Sequence, residues 1–129
     1  MQKILITGGC GFIGSHIATL LLENKYHVII IDNNENSSSD VIQNILKVAT
    51  RKIKNCSKFL SFQKCDIRDY ESVKNIFFKE SLSNLEITSV IHCAGVKSVE
   101  ESIKFPINYW DSNVYGTVNI LKVMREFEC

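Results

Sequence analysis

The chain has 129 residues, 45% apolar and 22% charged, and fifteen Lys and Arg against fourteen Asp and Glu leave a formal charge of +1. One domain of this length buries roughly two-thirds of its unfolded surface, and the composition is that of a globular protein rather than a disordered or fibrous one. Balanced charge without long runs of one sign argues against nucleic-acid or membrane-surface binding. The five cysteines, Cys10, Cys56, Cys65, Cys93 and Cys129, are odd in number and form no CxxC pair. They read as reduced thiols of a cytoplasmic protein, with no metal site. The opening apolar run, Ile4 to Ile6, is too short for a signal-peptide core or a membrane span.

That run and Val28 to Ile31 read as strands buried on two faces. Between them Phe12, Ile13, Ile17, Leu20 and Leu21 recur at helical spacing until Asn24 closes the segment, which makes a βαβ unit with glycines at its first turn. Asn33 to Asp40 is a loop, and Val41, Ile45, Leu46 and Val48 predict a helix capped by Ser39 or Asp40. Arg51 to Lys58 is a polar linker. Phe59 to Phe62 is a third strand ending at Cys65 and Asp66, followed by a helix marked by Val73, Ile76 and Phe77. Ser89 to His92 is a fourth strand. After Pro106, Trp110, Val114, Thr117, Leu121 and Met124 mark one face of a helix. The alternation predicts an α/β fold, a doubly wound parallel sheet of Rossmann type.

The turn after the first strand carries the chemistry. Gly8, Gly11 and Gly14 hold the TGxxGxxG spacing of the short-chain dehydrogenase/reductase superfamily, with Gly9 an extra. One glycine permits the tight turn, another lets a pyrophosphate approach the main chain, and a third lets helix and strand pack closely. The helix start then offers free amides and a positive dipole end to phosphate. Asp32 ends the second strand, about twenty residues past the glycines, where a carboxylate accepts from ribose hydroxyls and repels a 2′-phosphate, favouring NAD over NADP. Asp66 and Ile67 suit an adenine, the carboxylate for its amine and the apolar side chain for its face. A helix-capping aspartate is the rival reading.

The segments ILITGGCGFIGSH, IIIDNNENSSS, CDIRD, VIHCAGVKSVEESIKFPINYW and NVYGT together resemble the N-terminal half of UDP-glucose (UDP-galactose) 4-epimerases, which are extended short-chain dehydrogenases/reductases of galactose metabolism. The resemblance implies NAD as cofactor, with Phe12 and Ile13 on the pyrophosphate turn and Asp32, Asn33, Asn36 and Ser37 around the adenosine ribose. Asp66 and Ile67 would meet the adenine. Cys93, Ala94, Gly95 and Lys97 would run under the nicotinamide half, with Lys97 a cation near the cofactor's ribose and phosphates. Ser112 stands where many epimerases have asparagine, while Asn113 keeps the superfamily position. Cys93 replaces the usual phenylalanine.

In such enzymes a tyrosine deprotonates the sugar 4-hydroxyl as hydride passes to NAD. The 4-keto sugar turns over and takes the hydride back on its other face. A lysine four residues after the tyrosine lowers its pKa, and an upstream serine or threonine shares the hydrogen bond. All three belong after a fifth strand, so the resemblance assigns no catalytic residue to this chain. It is expected to be residues 1–129 of an NAD-binding domain, truncated after the fourth strand and its following helices, inactive alone, with UDP-hexose as substrate and a homodimer as assembly of the full-length protein. The fourth strand would then lie at an edge, exposing Val90 and Ile91. The one YxxxK match, Tyr70 to Lys74, follows the third strand and reads as coincidence. His16, His27 and His92 read as structural, and Glu100 and Glu101 as a helix start. Two alternatives remain: a non-catalytic NAD-binding module, and a dehydratase or decarboxylase of a nucleotide sugar.

Overall fold

Four apolar runs become four parallel strands in a computed structural model that describes residues 2–129. They are β1 (Lys3–Thr7), β2 (His27–Asp32), β3 (Leu60–Lys64) and β4 (Ile87–His92), side by side in the order β3-β2-β1-β4. The chain steps outward from β1 to β3, then crosses back to set β4 against the other side of β1. Thr7 lies level with Ile31 and with His92, so three strands end together around the crossing point. In doubly wound sheets the crevice at such a point is where ligands bind.

Because side chains alternate along a strand, each strand feeds two cores. Leu5, Ile29 and Ile31 face Val73, Ile76 and Phe77 of α3 (Tyr70–Ser81) and Ile120 and Val123 of α6 (Gly116–Glu126). Ile4, Ile6, Val28 and Ile30 face Ala18 and Leu22 of α1 (Phe12–Glu23) and Ile45 and Ala49 of α2 (Asp40–Ala49). At the far end of the sheet Lys3, almost buried, pairs with Glu80 and ties α3 to β1.

Four sequence expectations need correction. The fourth strand begins at Ile87, two residues early, because the pairing slips at Thr88, whose hydroxyl donates to the Lys3 carbonyl. β3 begins at Leu60, since Cys56–Phe59 forms a 3-10 turn entered through Asn55 in left-handed backbone. At α2, Ser39 already has helical backbone and makes no cap bond; the Ser38 hydroxyl accepts from the Asp40 amide instead.

The fourth correction concerns the segment after Pro106. Two short helices, α4 (Val99–Lys104) and α5 (Pro106–Tyr109), lead into a π turn at Trp110–Tyr115 and then α6. The π turn carries more residues per turn than an α-helix, so the i, i+4, i+7 reckoning slips across it. The buried side of α6 is Gly116, Asn119, Ile120 and Val123. Of the expected stripe, Trp110, Val114 and Leu121 are exposed, at 65%, 46% and 57%, while Met124 packs against the core from its rim. As expected, β4 is an edge strand, and Val90 and Ile91 are half-buried.

Candidate functional site

The crevice opens with the turn between β1 and α1. Gly8 has φ +65°, and its amide donates to the Ile31 carbonyl at 2.8 Å; a Cβ there would lie 2.7 Å from the Ala94 backbone. Gly14 packs as tightly, for its Cβ would lie 2.5 Å from the Gly8 oxygen. Gly9 is not a spare residue: a Cβ would meet the buried Ile30 side chain at 2.5 Å. The turn thus lies directly on β2 and on the loop after β4. No side chain caps α1 and its first turn holds no acid, so the amides of Phe12, Ile13 and Gly14 have no intrahelical acceptor and a positive dipole end faces outward. The Phe12 and Ile13 side chains point to solvent.

Asp32, 8% exposed, ends β2 beside this turn. Its Oδ2 accepts from the Cys10 amide at 3.0 Å, and its Oδ1 from the Asn34 amide and the Ser37 hydroxyl, both at 2.9 Å. A carboxylate oxygen carries two lone pairs, so Oδ2 keeps one for a further donor. At the end of β3, Asp66 accepts from Arg68 Nη2 at 2.6 Å, and this pairing holds its carboxyl at a pKa of about 2. Ile67 lies beside it, almost buried. Asp69, rather than Asp66, caps α3, its side chain accepting from the Ser72 amide.

The loop after β4 is set by a chain of hydrogen bonds whose direction can be worked out. Thr117 donates to the Asn113 carbonyl at 2.6 Å, so its oxygen must accept from His92 Nε2 at 3.0 Å. His92 Nδ1 therefore accepts from the Thr7 hydroxyl at 2.6 Å, whose oxygen in turn accepts from the Cys93 and Ala94 amides, each at 3.1 Å. Only neutral imidazole fits, and burial lowers the His92 pKa in the same sense. Asn113 grips the loop's other end, accepting from the Val96 amide and donating to the Val96 carbonyl, both at 2.8 Å.

These pieces close one cleft lined by Gly8, Gly11, Asp32, Asn33, Asn36, Asp66, Ile67, Cys93, Ala94, Gly95, Lys97 and Ser112, all named from the sequence. Gly14 and Ser37 stand behind the lining, and Phe12 and Ile13 beside it on α1. Glu35 and Val96, inside the stretches Asp32 to Ser37 and Cys93 to Lys97, also line it, and Ile31 and Cys65, which were missed, complete the lining. Burial raises the Cys65 thiol to about 11, so it is an inert wall.

Tyr70 and Lys74 are elsewhere, both bound to Glu126 of α6, at 2.7 and 2.5 Å. His16 bonds the Phe12 carbonyl, His27 stacks edge-on against Phe59, and Ser98 caps the helix start that holds Glu100 and Glu101. All five cysteines are free, and among the described residues no cluster could hold a metal ion.

The sequence model of a family described as GDP-mannose 4,6 dehydratase matches residues 5–129. The chain belongs to this family. Within the GDP-mannose 4,6 dehydratase family its relatives include UDP-glucose 4-epimerase 2 of Arabidopsis thaliana, 38% identical over 99% of this chain and 34% of that protein. Two solved structures agree. A UDP-glucose 4-epimerase from Stenotrophomonas maltophila with bound NAD and formylated UDP-arabinopyranose matches with TM-score 0.85 and 31% identity, over 99% of this chain and 34% of that one. One from Bifidobacterium longum in complex with NAD+ and UDP matches with TM-score 0.84 and 35% identity, over 98% and 34%. The fold and the epimerase resemblance read from the motifs are borne out. This family member spans about a third of the length of these relatives.

Proposed function

We propose that this chain is the N-terminal, NAD-binding portion of a UDP-glucose/UDP-galactose 4-epimerase. The observation that carries the reading is the cleft itself, in which an uncapped helix start, a glycine turn without room for side chains and a buried acceptor carboxylate converge at the crossing point of the sheet. The residues fit a dinucleotide. The first-turn amides of α1 receive the pyrophosphate, the free lone pair of Asp32 accepts from the adenosine ribose, and Asp66 with Ile67 holds the adenine. Cys93 to Lys97, with Ser112, border the nicotinamide half, where Lys97 places a cation near ribose and phosphate. When bound, NAD supplies a hydride acceptor for the sugar C4.

The Asp32 carboxylate also decides between cofactors, since a 2′-phosphate beside it would be repelled. The solved relatives holding NAD or NAD+ support this choice.

No described residue stands at the nicotinamide end as a tyrosine with a lysine four positions on. The proton chemistry is therefore assigned to residues outside this chain, which alone is inactive, and the UDP-hexose contacts are assigned there too. The whole protein is cytoplasmic and dimeric in this reading. Among the described residues no helix is long and apolar enough to cross a membrane.

Calorimetric titration tests the cofactor reading. NAD is expected to bind and NADP to bind at least about tenfold more weakly, and Asp32→Ala to erase most of that difference. Equal binding of the two by the parent protein would sink it. For the reaction, the full polypeptide should interconvert UDP-glucose and UDP-galactose without net NADH. Formation of a 4-keto-6-deoxy sugar would instead favour dehydration, as the family's description suggests.

A further inference from the structure

The Asp66 carboxylate offers four in-plane lone-pair positions, and the chain's own donors fill all of them. Oδ1 accepts from the Arg68 amide at 2.9 Å and from Arg68 Nε at 3.0 Å. Oδ2 accepts from Arg68 Nη2 at 2.6 Å and from Asn33 Nδ2 at 3.2 Å, and Arg68 Nε is shared with it at 3.2 Å. Three of the four donors belong to Arg68.

Arg68 is itself held on every side. Its guanidinium lies 3.9 Å from Glu35 and 3.8 Å from Asp111, so carboxylates from three elements surround it. Its carbonyl and that of Ile67 accept from Asn119 Nδ2 at 3.0 and 3.1 Å. Asn119 is 1% exposed on α6, and among the described residues its Oδ1 is the one buried side-chain acceptor without a partner. An unsatisfied buried acceptor is costly, and here its amide end clamps the backbone of Ile67 and Arg68.

The Asn33 bond is the exception. It is the one bond from outside Arg68, comes from a neutral amide, and leaves from a nitrogen that also donates to Glu35 at 3.1 Å. Another N–H donor can replace it without leaving Asn33 unpaired. A carbonyl oxygen cannot, because it would face the carboxylate, and Arg68 is not free to turn a proton toward it.

We propose that Arg68 is the specificity-determining positioning residue at the base end of the cleft: it leaves Asp66 one exchangeable acceptor position, and so selects a purine bearing an exocyclic amine over one bearing a carbonyl. The proposal rests on the NAD reading and extends it to a residue that does not touch the base. Without Arg68 the carboxylate can rotate, and the position it offers the base is no longer fixed.

The test is calorimetric titration of the parent protein, Arg68→Met and Arg68→Lys with NAD and with nicotinamide hypoxanthine dinucleotide, whose base carries a 6-oxo group and an N1–H in place of the 6-amino group and bare N1 of adenine. The parent is expected to prefer NAD by about tenfold or more. Arg68→Met is expected to reduce the ratio below about threefold, chiefly by weakening NAD, and Arg68→Lys, which keeps the charge but not the fork, to fall between. A purely structural role for Arg68 would weaken both ligands equally and leave the ratio intact, which overturns the proposal. If the parent binds both dinucleotides equally, the proposal fails while the NAD reading stands; if it binds neither, both fail. Should Arg68→Met not fold, the ratio in Arg68→Lys decides.

Discussion

Replacing Gly14 by alanine adds one methyl group where the structure has no room for it. The new Cβ would lie 2.5 Å from the Gly8 oxygen and 2.8 Å from the Gly9 Cα, short of ordinary contact by close to an ångström. Both neighbours are backbone, and the Gly8 oxygen already accepts from the Gly11 amide, so relief requires moving α1 away from β1. Overpacking of this kind costs about 1–3 kcal/mol, against a gain of roughly 0.5–1 kcal/mol for alanine over glycine inside a helix. A net loss of about 1 kcal/mol is expected, together with weaker NAD binding.

Gly11 is the control. It precedes α1 in extended backbone at φ −75°, and its Cβ would come no nearer than 3.3 Å to the Gly8 oxygen. It also lines the cleft. Gly11→Ala should therefore leave stability within about 0.5 kcal/mol of the parent, as a substitution without a core clash does, while still weakening NAD. Urea denaturation and calorimetric titration of both variants measure the two effects. If Gly11→Ala is destabilised as much as Gly14→Ala, or if Gly14→Ala matches the parent, the geometry argued for the turn is wrong.

The His92 relay predicts a pH window. Burial lowers the folded His92 pKa below 6.5, so the unfolded chain binds more protons below that value. The contribution is complete above pH 6.5 and is lost as pH falls from there through the folded value. The urea midpoint should drop across that window in the parent and stay flatter in His92→Gln; parallel profiles would refute the assignment. Asp66 titrates separately, its stabilisation lost as pH falls from 3.8 toward about 2. Tyr70→Phe removes one exposed bond to Glu126, so it should leave the urea midpoint near the parent's and, under the proposed function, leave turnover of the full polypeptide unchanged. A loss of about a hundredfold or more, the scale of a missing general base, would overturn the reading of the Tyr70 to Lys74 match as coincidence. The apolar side chains of Ile103, Ile107, Trp110 and Leu121, each more than half exposed, should make the 129-residue chain self-associate when expressed alone. Sedimentation should show Ile107→Glu with Leu121→Glu reducing that association, and a parent that stays monomeric at high concentration would contradict it.

Much of this protein was legible because its signals are local. Continuous apolar runs such as Val28 to Ile31 belong to strands covered on both faces. Glycines at fixed spacing mark a strand-to-helix turn whatever surrounds it, and Asp32 at the end of its strand lines the cleft beside that turn. Those features placed the sheet, the first turn and most of the cleft lining without any knowledge of distant contacts.

What periodicity could not supply were the decisions made between segments far apart in the chain. The face of α6 was misread because a π turn shifts the helical count, and only packing on β1 and α3 selects Asn119, Ile120 and Val123 as the buried side. Gly9 looked spare until β2 brought Ile30 against it. Asp66 looked like an open acceptor until Arg68 and Asn33 closed around it. A strand's pattern records which residues prefer to leave water, and so the sequence by itself determined the layers and the ligand class. Which partner each polar group finds depends on the tertiary register, and that decided how the cleft is held in shape.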